Sequence, residues 1–346
     1  MAIGTTPKKR EGTPYLVTGC AGFLGAAVSE ALLNAGNQVT GVDFFPPNDL
    51  IRPLKTWRLR QLNLSENFTF WEQDLRHAAQ VTEGFANRAK LLSPEPPWQA
   101  ILHFAALPGV RASWDAPGSY HETNVEVTRH LLQLAQTYDI PRFLFASSST
   151  VYGDLKEELF AEHLPLGKPM SPYAASKQQA EQLVLEAISS SNMSGTILRY
   201  FSLYGPGGRP DMVIWRWMEA LVTQKPLALF GSGEQERCFT FITDAVRGTL
   251  AALDHEASEL FNLGNPRSVR LLDLLRLLEH LTEQKAVLQS HPSHPAETSL
   301  SKVDPTKAER VLGWKPKVEL EEGLYKTFTW WKHFRQSPGQ DFLVDD

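Results

Sequence analysis

Tyr173 and Lys177 stand four residues apart in the stretch Ser171-Pro172-Tyr173-Ala174-Ala175-Ser176-Lys177. On a helix that spacing puts both side chains on one face. An unperturbed phenol titrates near ~10, and a neighbouring ammonium favours the phenolate. The pair is therefore a means of making a base that takes a proton from an alcohol. Two polar residues on a solvated helix face would satisfy the same spacing. Their company favours chemistry: the glycine-rich turn Gly19-Cys20-Ala21-Gly22-Phe23-Leu24-Gly25 lies upstream, and the cluster Ser147-Ser148-Ser149 closes the strand before them.

The elements that must position these residues follow in order. Tyr15 to Thr18 is a short apolar run ended by glycine, which predicts a buried strand. From Phe23 to Gly36 apolar residues recur at helical spacing. Gln38 to Asp43 is a second strand that closes on an acid. Strand, glycine turn, helix, strand and acid form the dinucleotide-binding pattern. Gly19, Gly22 and Gly25 let the backbone, with Phe23 and Leu24 at the helix start, approach a pyrophosphate. Asp43 can accept from both adenosine-ribose hydroxyls and repels a 2′-phosphate, so the expected cofactor is NAD rather than NADP. Phe68 to Phe70 reads as a strand, with Asp74 and Leu75 beyond it placed to lie over the adenine. Ala100 to Phe104 is the next strand, and the small residues Ala105 and Ala106 after it suit close approach to a ligand. A helical pattern runs from about Tyr120 to Tyr138, then a strand from Arg142 to Ala146 empties into the serines. After the Tyr173 helix a polar loop leads to the strand Thr196 to Tyr200.

Strands and helices that alternate in this way predict a doubly wound parallel sheet. Ligands bind at the carboxyl ends of such strands. The glycine turn, Ala105-Ala106, the serine cluster and Ser202 all fall there. Beyond Ser202 the rhythm changes. Helical patterns over Pro210 to Thr223 and Leu271 to Glu283 are separated by short strands such as Leu227 to Phe230 and Glu259 to Asn262. They read as a smaller, mostly helical domain over the strand ends. The expected division is a cofactor domain over 1–202, whose first 13 residues are a disordered lead, and a substrate domain over 203–336 with some chain returning to the first. A disordered tail follows over 337–346. His291-Pro292-Ser293-His294-Pro295 reads as a loop and not a metal site, and no metal is expected. Ala308 to Trp314 reads as a helix with a C-terminal glycine and a packing tryptophan.

Composition excludes several classes. A net charge of -5 carries no basic footprint, so no nucleic-acid partner is expected. No apolar run nears the ~18–20 residues of a membrane span. Lys8, Lys9 and Arg10 are not followed by the apolar stretch of a signal peptide, and 2 cysteines fit a reducing compartment, so the expected location is the cytoplasm.

Together the G-x-x-G-x-x-G turn, the serines before Val151-Tyr152-Gly153 and the Tyr173-x-x-x-Lys177 helix resemble the extended short-chain dehydrogenase/reductase family. More narrowly, the chain is similar to its sugar-nucleotide epimerases from Tyr15 to about Arg335. Phe241-Ile242-Thr243-Asp244, Phe261-Asn262-Leu263-Gly264 and Leu312-Gly313-Trp314-Lys315-Pro316 match the family's second domain. Gly109-Val110-Arg111 and the run from Arg199 to Met212 are similar to UDP-glucuronate 4-epimerases. The resemblance implies a Rossmann sheet, an NAD-dependent isomerase and a UDP-sugar substrate. It implies that Tyr173 takes the proton from the sugar 4-OH while C4 gives its hydride to NAD+, that Ser148 shares the proton, and that Lys177 holds the nicotinamide ribose and lowers the Tyr173 pKa. It further implies cofactor contacts at Ser147 and Tyr200, and substrate contacts at Val110, Arg111, Ser149, Thr150, Ser202, Arg209 and Arg237. A homodimer is also expected on this ground.

Related dehydratases carry Asp-Glu where this chain has Ser149-Thr150, and related decarboxylases carry Glu at Thr150, so neither reaction is implied. The chain departs from the pattern at Leu107-Pro108, at Cys238 and at the segment His291 to His294. Three functions stay open from the sequence: an epimerase of UDP-glucuronate, an epimerase of neutral UDP-hexoses such as UDP-glucose, and a catalytically silent NAD-binding module. For Arg209 and Arg237 the plainer alternative is a surface ion pair, Asp211 being the acid nearest Arg209.

Overall fold

The computed structural model describes residues 12–46, 49, 51–92, 96–292 and 302–336. Residues 1–11 of the expected disordered lead, residues 93–95 of the proline-rich loop, residues 293–295 of the histidine segment and the expected tail lie outside the described residues. Gly12 and Thr13, expected in the lead, are instead tied to the chain at 36–38, the Gly12 N–H donating to the Gly36 carbonyl at 2.8 Å and the Thr13 carbonyl accepting from Gln38 at 2.9 Å.

The first half alternates strands and helices. In order they are β1 (Pro14–Thr18), α1 (Phe23–Asn34), β2 (Gln38–Asp43), α2 (Arg52–Leu62), β3 (Phe68–Glu72), α3 (Ala78–Leu91) and β4 (Ala100–His103). There follow α4 (Pro117–His121), α5 (Val127–Thr137), β5 (Arg142–Ser148), α6 (Pro172–Ser189) and β6 (Ser194–Tyr200). The second half holds β7 (Leu203–Tyr204), α7 (Val213–Thr223), β8 (Leu227–Phe230), β9 (Glu236–Cys238), β10 (Thr240–Phe241) and α8 (Ile242–Asp254). It closes with β11 (Glu259–Leu263), β12 (Ser268–Arg270), α9 (Leu271–Thr282), β13 (Leu288–His291), α10 (Thr306–Leu312) and α11 (Leu320–Gln336).

Seven strands form one parallel sheet in the order β11-β6-β5-β4-β1-β2-β3. Both of its faces are covered, which is why its central strands are nearly continuous apolar runs. Successive side chains of a strand point to opposite faces. Val17, Leu102, Leu144 and Leu198 accordingly enter the core that α1 helps to form. Leu16, Ile101, Phe143 and Ile197 enter the core shared with α5 and α6. Among the described residues no helix is long and apolar enough to cross a membrane.

Four features differ from the sequence expectation. The helical run near Tyr120 to Tyr138 is interrupted by a π-helical turn over Glu122–Glu126, between α4 and α5. Strand β5 continues through Ser147 and Ser148 instead of ending at Ala146. Glu259 to Leu263 is no part of a lid: β11 pairs in parallel with β6 as an edge strand of the main sheet. His291 closes a strand, β13, that pairs with β8, and its ring stacks on Phe230 at 4.9 Å. In each case a distant partner decided the outcome. The expected helix before Trp314 is present as α10, ended by Gly313 at φ 62° with Trp314 buried behind it.

Asp244 ties α8 to the chain that follows α10. Its carboxylate accepts from the backbone N–H groups of Lys317 and Val318 at 2.9 and 3.0 Å and pairs with Arg247 at 2.5 Å. The Trp314 indole donates to the Asp244 carbonyl at 2.8 Å. This buried carboxylate closes two orphan donors, each costing about 1–3 kcal/mol if left unmade. Asp244→Ala should lower stability by about 2–4 kcal/mol, read as a fall in the urea midpoint at unchanged m-value, with Asp244→Asn intermediate. An unmoved midpoint would show that the clamp is not stabilising.

Candidate active site

At one end of the cleft the glycine turn is dictated by crowding. Gly19 has φ +71°, and a Cβ on it would lie 2.7 Å from the Ala105 nitrogen. A Cβ on Gly25 would lie 2.1 Å from the Gly19 carbonyl oxygen. Helix α1 begins at Gly22 without a side-chain cap, so its first N–H groups are not committed to protein side chains. This cradle fits a pyrophosphate, with Phe23 and Leu24 in the first turn.

Asp43 ends β2 beside that turn. Its carboxylate accepts from the N–H groups of Ala21 and Phe44 at 2.9 and 2.8 Å. Lys55 lies 3.2 Å away and also pairs with Asp49 at 3.1 Å. The charge available to a ribose or to repel a phosphate is therefore partly met from within. Arg58, on the same helix as Lys55, was visible in the sequence only as one of several basic residues. It is buried, and donates to the carbonyls of Ala21 and Gly207 at 2.8 and 2.5 Å. Burial draws its pKa down to about 9, with Asp43 opposing and Arg209 adding to the fall, and among the described residues its Nε has no hydrogen-bond partner. Asp74 is bound by Arg76 at 2.6 Å, and Leu75 is packed into the core behind β3.

The middle of the cleft is tied by Asn124, which lies in the π-helical turn and which the sequence reading passed over. Its amide accepts from Leu107 N–H at 2.7 Å and donates to the Leu107 carbonyl at 3.0 Å and to Ser176 Oγ at 2.9 Å. Ser176 in turn donates to the Tyr173 carbonyl at 2.8 Å. One side chain thus joins the loop after β4 to α6. Ala105 hangs from the same edge, its N–H 3.3 Å from Thr18 Oγ1, with Ala106 next in the chain.

Helix α6 is started by Ser171, whose hydroxyl accepts from Ala174 N–H at 3.1 Å, and by Pro172 in its first turn. This fixes Tyr173 at the cleft. Ser148 bears on the phenol, and its Oγ accepts from Thr150 Oγ1 at 3.0 Å. Tyr173 keeps part of its surface open, yet burial pushes its phenol above the ordinary value, while Ser148 and the charge of Arg209 pull it back. The Lys177 ammonium donates to the Ala146 carbonyl at 2.9 Å and lies 4.9 Å from the centre of the Phe145 ring, at the end of β5. Burial lowers the Lys177 pKa to about 8, and Glu181 opposes that fall.

On the other side of Tyr173, Arg209 is held through Nε by Asp211 at 2.9 Å, with a second bond from Nη2, so the surface pair weighed against it does form. The fork nevertheless stays beside the cleft: a Cβ on Gly109 would lie 3.9 Å from its Nη2. Tyr120, edge-on to Tyr173 at 6.2 Å, holds that loop by donating to the Pro108 carbonyl at 2.7 Å. Val110 accepts from Ser113 at 2.6 Å, and Arg111 lies 3.7 Å over the Phe230 ring. Arg237 sits in β9, its Nη1 2.9 Å from the Glu236 carbonyl, and Ser202 follows β6 with its carbonyl accepting from Thr240 at 3.0 Å. Ser149 and Thr150 open the 3-10 turn directly after β5.

Two expected cofactor residues turn away. Ser147 donates to Glu181 at 2.5 Å in the core, because strand alternation sends it opposite to Ser148. The Tyr200 hydroxyl is committed to Thr249 at 2.7 Å, and burial pushes its pKa up. Among the described residues no group of three or more His, Cys, Asp or Glu could hold a metal.

Comparison with known proteins agrees with this arrangement. The model of the NAD dependent epimerase/dehydratase family matches residues 15–264. A UDP-glucuronate 4-epimerase of Thermodesulfobacterium geofontis is 38% identical over 92% of this chain and 96% of its own. The crystal structure of a Bacillus cereus UDP-glucuronic acid 4-epimerase, in complex with UDP-glucuronic acid and NAD, has a TM-score of 0.83 at 33% identity, covering 93% of this chain and 99% of that one. A UDP-glucose 4-epimerase of Thermotoga maritima with UDP-glucose has a TM-score of 0.82 at 28% identity, covering 93% and 99%. With most of its length matched and its glycine turn, sheet order and Tyr173 helix in place, the chain belongs to the NAD dependent epimerase/dehydratase family.

Proposed function

We propose that this protein interconverts UDP-glucuronate and UDP-galacturonate by 4-epimerisation. The observation that carries the reading is that Ser148 and Arg209 both bear on the Tyr173 phenol, with Tyr120 edge-on to it and the Arg209 fork beside the same loop. NAD, when bound, supplies a reversible hydride acceptor. Gly19, Gly22, Gly25 and the start of α1 would hold its pyrophosphate, Asp43 its adenosine ribose and Lys177 its nicotinamide ribose. Tyr173 takes the proton of the sugar 4-OH, with Ser148 sharing it, and returns it after the flat 4-keto ring has turned over. Ser149, Thr150 and Ser202 offer hydroxyls, and Arg209 a planar permanent cation, to the substrate carboxylate. Arg111 and Arg237 would meet the nucleotide diphosphate. A 4-keto glucuronate is a β-keto acid, which loses CO2 when its carboxylate bond aligns with the carbonyl π system. Holding the carboxylate out of that alignment is the task left to Arg209 and the hydroxyls.

A second reading, epimerisation of neutral UDP-hexoses, draws on the Arg209–Asp211 pair, which needs no substrate carboxylate to complete it. A silent NAD-binding module is disfavoured, since it would be free to lose Tyr173, Lys177 and Ser148, and all three are intact. The two-part division near residue 202, with 242–263 returning to the main sheet, is part of the proposal, as is a cytoplasmic location, which fits two free buried cysteines. So is a homodimer through α5 and α6, where Leu185 is 48% exposed. Light scattering should give twice the chain mass, and Leu185→Glu should halve it. A wild-type monomer would remove that element.

The phenol must be ionised to take a proton, so turnover should rise with pH through its titration. Ser148 holds the phenol pKa down, so Ser148→Ala should move that limb to higher pH. Tyr173→Phe should cost about 10²–10⁴-fold in kcat and remove the limb, with the fold intact by circular dichroism. Near-native turnover by Tyr173→Phe would reassign the base. Because a charge-assisted hydrogen bond contributes ~1.5–3 kcal/mol, Arg209→Met should lower kcat/KM for UDP-glucuronate roughly 10- to 150-fold and leak CO2. Activity on UDP-glucose, where present, should be spared. Equal rates on both substrates, untouched by Arg209→Met, would favour the hexose epimerase.

A further inference from the structure

Tyr173, Lys177 and Glu181 follow one another at four-residue spacing along α6, so they share a face. Glu181 is 2% exposed, which is rare for a carboxylate unless it is paired. Three donors converge on it: Ser147 Oγ from β5 at 2.5 Å, and Arg199 Nε and Nη2 from β6 at 2.9 and 2.7 Å. Arg199 itself lies over Tyr152, its guanidinium 4.8 Å from the centre of the ring. Tyr152 donates to Asn262 of β11 at 2.8 Å. The carboxylate is thus held from two strands of the sheet and cannot swing.

Lys177, one turn earlier, is 3% exposed. It donates to the neutral Ala146 carbonyl, and an aromatic face supplies weak additional support. A buried ammonium loses its proton readily. The charged and titratable groups around it are few. From β4 comes His103, held between Thr18 and Thr128 and kept neutral by burial, its pKa near 3. From β6 comes Arg199, which is positive and spent on Glu181. From α6 itself come Tyr173 and Glu181. Glu181 is the sole anion among them.

We infer that Glu181 is a positioning residue for Lys177, its clamped carboxylate keeping the buried ammonium charged so that it can serve the cofactor ribose at the cleft. The inference rests on the proposed role of Lys177 in the reaction. A purely structural role, in which the Glu181–Arg199 pair only pins α6 to the sheet, makes a different prediction. Glu181→Gln and Arg199→Gln break the same ion pair, so a structural role makes them alike. For Lys177 they are opposites: the first removes the anion, the second frees it.

The test is the titration of Lys177 in the purified protein with NAD added. It is followed by NMR of 13Cε-labelled lysine, with the resonance assigned by its loss in Lys177→Met. Nearby opposite charge shifts a pKa by about 1–3 units, so Glu181→Gln should lower the midpoint by about 1–2 pH units. Arg199→Gln should raise it. The alkaline limb of kcat should move in the same directions, costing Glu181→Gln roughly 10-fold or more at a pH one unit above its new midpoint. Glu181→Asp keeps the charge, and should restore most of the shift; should Glu181→Gln not fold, Arg199→Gln and Glu181→Asp decide the matter by direction alone. A midpoint that stays fixed, or that moves the same way in the glutamine variants of both residues while the melting temperatures fall together, would overturn the inference. A midpoint that moves as stated while Lys177→Met keeps native turnover would leave Glu181 in its role and refute the catalytic use of Lys177.

Discussion

A parallel sheet ends all of its strands at one edge, and this constraint places every candidate group in the molecule. The glycine turn follows β1, Asp43 closes β2, Ala105 follows β4, Ser148 closes β5 and Ser202 follows β6. None of these segments is near its neighbours in the chain. They become neighbours because the strands are in register side by side, Ser148 opposite Tyr200 and Thr18 opposite His103. The helices between strands then only need to run back along the sheet. Helix α6, like α1, brings its own first turn to the same edge, and with it Tyr173.

Burying cations is the second theme. Arg58, Lys177 and Arg199 are each less than 5% exposed, and the charge of Arg209 bears on the Tyr173 phenol. Removing a charge from water costs several kcal/mol unless a partner answers it. Each has an answer of a different kind: carbonyls and the field of Asp43 for Arg58, a bidentate carboxylate for Arg199, Asp211 for Arg209. Lys177 has the weakest, and its fallen pKa records that. A cleft lined with partly compensated positive charge suits a substrate that carries a diphosphate, and in the favoured reading a carboxylate as well. The same placement makes the phenol a difficult acid to ionise, since burial acts on it before any cation does.

Much of this was legible in the sequence because it is local. A glycine turn between a strand and a helix is complete within a dozen residues, and crowding around Gly19 and Gly25 explains why no other residue would serve. The four-residue spacing of Tyr173 and Lys177, the Ser171-Pro172 start of their helix and the Gly313-Trp314 stop of another are equally local. So is the alternation of strands and helices that implies a doubly wound sheet.

Tertiary structure decided whatever depended on a partner far along the chain. Which of three adjacent serines faces the cleft followed from where β5 ends, and β5 ran further than its apolar residues indicated because Ser147 and Ser148 pair with Arg199 and Tyr200. Glu181 and Asn124 looked like ordinary polar residues on helices until residues 147 and 199, and 107 and 176, closed around them. The last edge of the sheet came from β11, some sixty residues after β6, with helices in between. Residue type and short spacing determined what chemistry this chain could hold. Long-range strand pairing, for which a linear pattern carries no signal, decided which of those side chains meet.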